Sequence, residues 1–165
     1  MRKLIYESKK KNALWEMLEE CGNYDVKRLA LNVIEARKEI AEKLYISLAS
    51  KISFERRLIQ VDGVNRIVVQ DFYINPHVIR LIQDSALNFN HFDEIYHQFF
   101  TKVSRCYEGI AVLVPDSEIR ALLDIGAEEE VLQISGKAYD QMENIVEYYE
   151  YYIRTEDIEI NRRFD

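Results

Sequence analysis

The stretch Val131–Ile153, VLQISGKAYDQMENIVEYYEYYI, decides how the rest of the chain is read. Val131, Ala138, Ile145 and Tyr152 alternate with Ser135, Met142 and Tyr149 on a heptad seam, and Leu132, Tyr139, Val146 and Ile153 add a further column at the same spacing. Columns of this kind mark one side of a helix packed in a bundle or against a second copy of itself. The pattern predicts a long helix over 127–153. On its outer side Glu143, Glu147 and Glu150 form an acidic stripe, with Tyr148 and Tyr151 exposed between them. Tyrosines suit an interface because they bury a large area at low entropic cost, and carboxylates speed the encounter with a basic partner.

Outward from this segment, similar spacings recur. Leu29, Val33, Ala36, Ile40, Leu44 and Leu48 repeat at intervals of three and four, which predicts a helix over 24–50 of about 25 residues, roughly 38 Å long. Phe92, Ile95, Tyr96, Phe99, Phe100, Val103 and Cys106 predict a third long helix over 91–108. Shorter helices are expected after Lys11, after Asn75-Pro76 and after Pro115-Asp116-Ser117, where Asp116 is placed to cap. Asp62-Gly63, between two β-branched runs, is a hairpin signal at 57–70, with Val61 opposite Val64. No self-similar repeat recurs at any period from 20 to 50 residues, and no Gly-, Ser- or Pro-rich linker divides the chain. The expected fold is a mainly α, single-domain helical bundle spanning 1–165, built on three long helices with shorter ones and one hairpin packed across them.

Composition narrows the functional classes. The 165 residues carry 22 basic and 29 acidic side chains, a net charge of −7, which argues against general nucleic-acid binding. Residues 1–126 are balanced at 18 of each sign, so the net charge resides in residues 127–165, with 11 acids and 4 bases. No apolar run reaches the ~18 residues of a membrane span and no export signal is visible, so a cytoplasmic protein is expected. Cys21 and Cys106 read as buried thiols.

The most chemical constellation is His91-Phe92-Asp93-Glu94-Ile95-Tyr96-His97. Glu94-x-x-His97 is half of the motif by which carboxylate-bridged bundles hold metal, because residues three apart on a helix reach one ion. The chain has no second Glu-x-x-His, and His91 and His97 diverge by about 120° on a helix. Phosphate-binding, dinucleotide-binding, zinc-protease and serine-hydrolase motifs are lacking from the sequence. The sequence thus leans away from an enzyme and assigns no cofactor. Its leading expectation is a small acidic helical binder, of the inhibitor, immunity or antitoxin kind, docking a basic protein through Glu143, Glu147, Tyr148, Glu150 and Tyr151. The alternatives are a metal-dependent bundle enzyme using His91, Glu94 and His97, a homodimeric scaffold joined through the heptad helix, and a secretion-chaperone-like protein with broad apolar grooves.

Overall fold

In the computed structural model the described residues are 4–6, 18, 23–63, 65–75 and 105–160. They form a β-sheet protein, and the helical bundle is not there. The elements run β1 (Leu4–Tyr6), β2 (Tyr24–Glu35), α1 (Lys38–Leu44), β3 (Lys51–Val61), β4 (Asn65–Ile74), β5 (Arg105–Leu113), α2 (Ser117–Leu123), β6 (Val131–Tyr139), β7 (Ile145–Arg154), a 3-10 turn (Thr155–Asp157) and β8 (Ile158–Ile160). Six strands pair antiparallel in the order β2-β3-β4-β7-β6-β5, while β1 and β8 form a separate parallel pair. The predicted helix over 127–153 is two strands of a hairpin. The predicted helix over 24–50 is an edge strand followed by a seven-residue helix. Of the third, 91–104 lies outside the described residues and Arg105 onward is strand.

The physical reason lies in burial on two sides. β4 and β7 are central and covered on both faces, so nearly every residue of NRIVVQDFYI and IVEYYEYYIR is buried or half-buried and the period-two alternation of a one-sided strand is erased. What remains is a continuous run of Val, Ile and Tyr, residue types that fit a pleated surface. The turns supply the rest. Asp62 and Gly63 both hold positive φ, at 54° and 74°, and close the β3–β4 hairpin. A bulge after Ile59 sets Val61 opposite Asn65, not Val64. In the β6–β7 turn the Asp140 carboxylate accepts from the Met142 and Asn144 amides at 2.8 and 2.9 Å, and Glu143 takes the left-handed conformation.

The sheet order is a palindrome, and the chain repeats itself across it. Strand, helix, strand, hairpin and strand occur twice, with the helices and the strands flanking them displaced by 79 positions: Lys38 with Ser117, Leu44 with Leu123. The same displacement relates the two left-handed helix caps, Tyr45 (φ 53°) and Asp124 (φ 56°), and the closing bonds Ile46 N–H to Ala41 C=O and Ile125 N–H to Arg120 C=O. It also relates the helix-side cores. Ile40, Leu44, Ile52, Tyr73 and Tyr148 pack under α1, and Ile119, Leu123, Val131, Tyr152 and Val69 pack under α2. The pseudo-twofold axis passes between Asp71 and Glu150, which face each other across β4 and β7. Both helices therefore lie on one face of the sheet, here termed the helical face. The far face carries a second core of Ile59, Val61, Ile67, Val68, Leu132, Ile134 and Ile153, onto which Leu18 packs.

Candidate functional site

Polar side chains interrupt the core on both faces, and hydrogen bonding separates their roles. On the helical face, Arg56 donates to Asp71 through Nε and Nη2 at 2.7 and 2.8 Å, and its Nη1 reaches Glu118 at 2.8 Å. Across the axis Glu150 accepts from the hydroxyls of Tyr148 and Tyr152 at 2.8 and 2.6 Å. Burial and the neighbouring carboxylates lift the tyrosine hydroxyls well above their ordinary range, so they act as donors throughout the accessible pH scale. Each carboxylate of this seam has strong donors. Such a network ties the strands together and leaves little for a ligand to satisfy.

The seam has one measurable consequence. Burial pushes the Asp71 carboxyl above its ordinary range against the pull of Arg56, and the charges of Glu150 and Asp116 add to the rise. A carboxyl whose folded pKa is raised contributes stability that is present in full below its unfolded pKa and lost as pH climbs through the folded one. Compared with Asp71→Asn, the wild-type protein should therefore gain stability as pH falls from about 7 toward about 4. Urea midpoints across that range check this, and a relative loss on acidification would show that the Arg56 pairing dominates instead.

The far face is different. Register places Arg28, Arg57, Gln70 and Tyr151 in one row across β2, β3, β4 and β7, with Glu55, Phe72 and Tyr149 in the next row. Glu55 Oε1 accepts from Arg57 Nε at 2.6 Å and from Arg28 Nε at 2.7 Å. The Arg57 guanidinium lies over the Phe72 ring, 5.3 Å from its centre. Glu55, Arg57 and Gln70 are all at most 2% exposed. Neither polar atom of the Gln70 amide has a hydrogen-bond partner. Leaving a buried amide unanswered costs about 1–3 kcal/mol for each group, so folding leaves a strong polar demand open at Gln70. Glu147 is a further buried carboxylate on the same face.

The pseudo-symmetry shows how the position equivalent to Gln70 in the second half is filled. Arg57 and Gln70 have Gly136 and Tyr149 as their counterparts, which also face each other. There the tyrosine ring lies over the glycine, so that a Cβ on Gly136 would sit 2.4 Å from ring and hydroxyl atoms, and the Tyr149 hydroxyl donates to Glu108 at 2.6 Å. One half of the far face is thus filled by a side chain, while the other presents arginine and amide.

The residues expected to form an acidic docking stripe do not share a face. Glu147 and Tyr151 point to the far face, Tyr148 and Glu150 to the helical face, and Glu143 lies in the β6–β7 turn paired with Arg105. Tyr148 and Glu147 are buried. The basic-partner surface and the heptad dimer helix are therefore not formed. His91, Glu94 and His97 lie outside the described residues, and among the described residues no group of three or more His, Cys, Asp or Glu is arranged to hold a metal. Cys106, expected to be buried, is exposed on the edge strand β5. Sequence reasoning missed Glu55, Arg57 and Gln70, although charged and amide residues inside the apolar runs ISFERRLIQV and RIVVQDFYI were the available signal.

Comparison with known proteins agrees with this architecture. The chain belongs to the UTRA domain family, whose sequence profile matches residues 20–159. Its fold is shared with PhnF from Mycobacterium smegmatis (15% identity, TM-score 0.85, 99% of this chain and 72% of that one). The separate effector domain of the same protein aligns over 91% of this chain and 93% of its own, at 16% identity and a TM-score of 0.80. A GntR-family transcriptional regulator from Bacillus cereus aligns over 86% and 99%, at 17% identity and 0.72. No curated protein is similar enough in sequence to match. Family membership and the six-stranded antiparallel sheet overturn the inhibitor, immunity or antitoxin reading. They equally overturn the metal-dependent bundle enzyme, which needs long facing helices. Among the described residues no helix is long and apolar enough to cross a membrane.

Proposed function

We propose that this domain is the effector-sensing unit of a transcriptional regulator and takes a small polar molecule on the far face of β3 and β4. The observation that carries the reading is the buried row of Arg57 and Gln70, in which the Gln70 amide is unanswered. Buried polar groups converging within apolar walls are the usual anatomy of a small-molecule site. The effector domain of PhnF and the GntR-family regulator share this fold, which supports placing the domain in regulation. With a net charge of −7, the domain itself is poorly suited to phosphate-backbone contact, so its role is sensing and not reading DNA.

The test is thermal melting of the full chain against a chemically broad panel of sugars, amino acids, nucleosides and organic acids, followed by calorimetry of each hit. A ligand at about a hundred times its Kd adds roughly 2.7 kcal/mol to folding stability, which moves the melting temperature by several degrees. Arg57→Met should abolish the shift. A folded protein that no compound stabilises, or a hit untouched by Arg57→Met, would remove the reading.

A further inference from the structure

Resting on that reading, we infer that Gln70 is the specificity-determining residue of the site, and that the effector presents it with an uncharged hydrogen-bond donor and acceptor side by side. Gln70 is fully buried, and both Oε1 and Nε2 lack partners. A carboxamide accepts at one atom and donates from the other, so it is answered in full only by a group that does both.

The neighbours explain why the protein does not answer it. Arg57, directly opposite on β3, is drawn toward Glu55 at 2.6 Å and lies over Phe72. A guanidinium only donates and has nothing to offer Nε2. Tyr151, opposite on β7, has its ring stacked on Tyr149 with centres 4.9 Å apart and set edge-on to Phe72 at 5.8 Å. A carboxylate in the site would serve Nε2 and confront Oε1 with a second acceptor, and an ammonium would do the reverse. A primary amide, lactam or imide satisfies both atoms, and the aromatic surroundings favour such a planar group. A vicinal diol offers the same pair of functions and is the other source of this chemistry.

Because the pseudo-symmetric position is filled by Tyr149 over Gly136, one such group binds per chain. The strength of the preference follows from leaving a buried group unpaired in the wrong complex, which is how hydrogen-bonding sites reject analogues far better than apolar pockets do.

Calorimetry of the full chain with matched pairs tests this: nicotinamide against nicotinate and glutamine against glutamate, with glucose and inositol as the diol arm. The expected result is that a neutral member binds at least about tenfold more tightly than its acid. It should bind once per chain, and Gln70→Leu should abolish binding. The same variant, free of ligand, should melt at a higher temperature than the wild type, because an unanswered amide has been replaced by an apolar group. Binding of glucose or inositol with the same loss in Gln70→Leu supports the proposal and assigns the diol source. Tighter binding of the acids, unaffected by Gln70→Leu but lost in Arg57→Met, overturns the proposal and leaves the effector reading standing. Failure of every probe, or a lower melting temperature for unliganded Gln70→Leu, overturns it as well; the broad panel then decides separately whether the domain senses anything.

Discussion

Gly136→Ala should destabilise the domain by about 3 kcal/mol, the upper part of the usual range for overpacking a core. The ideal Cβ would lie 2.4 Å from Cζ and the hydroxyl oxygen of Tyr149, a distance at which one of the two must move. Tyr149 has little room. Its ring is 4% exposed, stacked on Tyr151, and held at its far end by the hydrogen bond to Glu108. Moving it forfeits that bond and opens space elsewhere, so strain and a lost polar contact act together. Gly109→Ala on the neighbouring strand is the control. There the added carbon meets only Ser135 Oγ at 3.8 Å, and the change should stay within about 0.5 kcal/mol. Urea denaturation of both variants measures the difference. A double-mutant cycle with Tyr149→Leu should show strong coupling, with Gly136→Ala costing far less once the ring is gone. Equal effects at the two glycines would mean that Tyr149 does not plug the second half of the far face.

Glu55→Ala is the other large expected loss, roughly 3–5 kcal/mol, because it breaks a buried ion pair and takes the Glu55 carboxylate from the Arg57 guanidinium. Arg57 is 1% exposed and Glu55 2%, so solvent does not replace the lost carboxylate. Arg28, the second arginine on the same carboxylate, has a side chain 35% exposed. Arg28→Ala should cost no more than about 1 kcal/mol, since Arg57 still neutralises Glu55. Replacing both members, Glu55→Leu with Arg57→Met, should recover most of the stability while eliminating ligand binding. That separation matters functionally: Glu55 acts by holding Arg57 over Phe72, so its loss reports on folding and on the site together, whereas the double replacement reports on the site alone. Unfolding free energies from urea titrations, beside melting shifts with any ligand found, distinguish the two. A Glu55→Ala variant as stable as the wild type would show that the Glu55 carboxylate is not what holds Arg57 in place.

The two halves of the molecule also explain each other. Asp71 and Glu150 meet at the axis, yet one is answered by Arg56 and the other by two tyrosine hydroxyls. Arg57 and Gln70 have Gly136 and Tyr149 as their counterparts in the other half. The same backbone scaffold thus carries a polar site once and a packed plug once.

Local signals were read from the sequence where the chemistry is local. The Asp62-Gly63 turn exists because both positions need positive φ, and Asp116 caps α2 by accepting from the Ile119 amide at 2.9 Å. The acidic balance, which argues against phosphate-backbone contact, depends on composition alone. The fold class depended on something else. Val131, Ala138, Ile145 and Tyr152 are spaced by seven in any conformation, and only a neighbour on each side decides whether that spacing lies along a helix or crosses a two-sided strand. Because β4 and β7 are covered on both faces, their sequence lost the alternation that would have identified them, and tertiary packing overrode the helical pattern.

The same reason governs the site. Arg57 and Gln70 are 13 positions apart and meet only through the β3–β4 register, just as Tyr149 reaches Gly136 only through that of β6 and β7. The internal repeat is carried by backbone geometry and by packing positions such as Ile40 with Ile119 and Leu44 with Leu123, at a spacing too long and a similarity too low for the residues to display it. Turns, caps and charge belong to the sequence by itself, because each rests on a few adjacent residues. Strand identity, the two faces and the open amide were decided by tertiary structure, because each rests on which distant strand lies alongside.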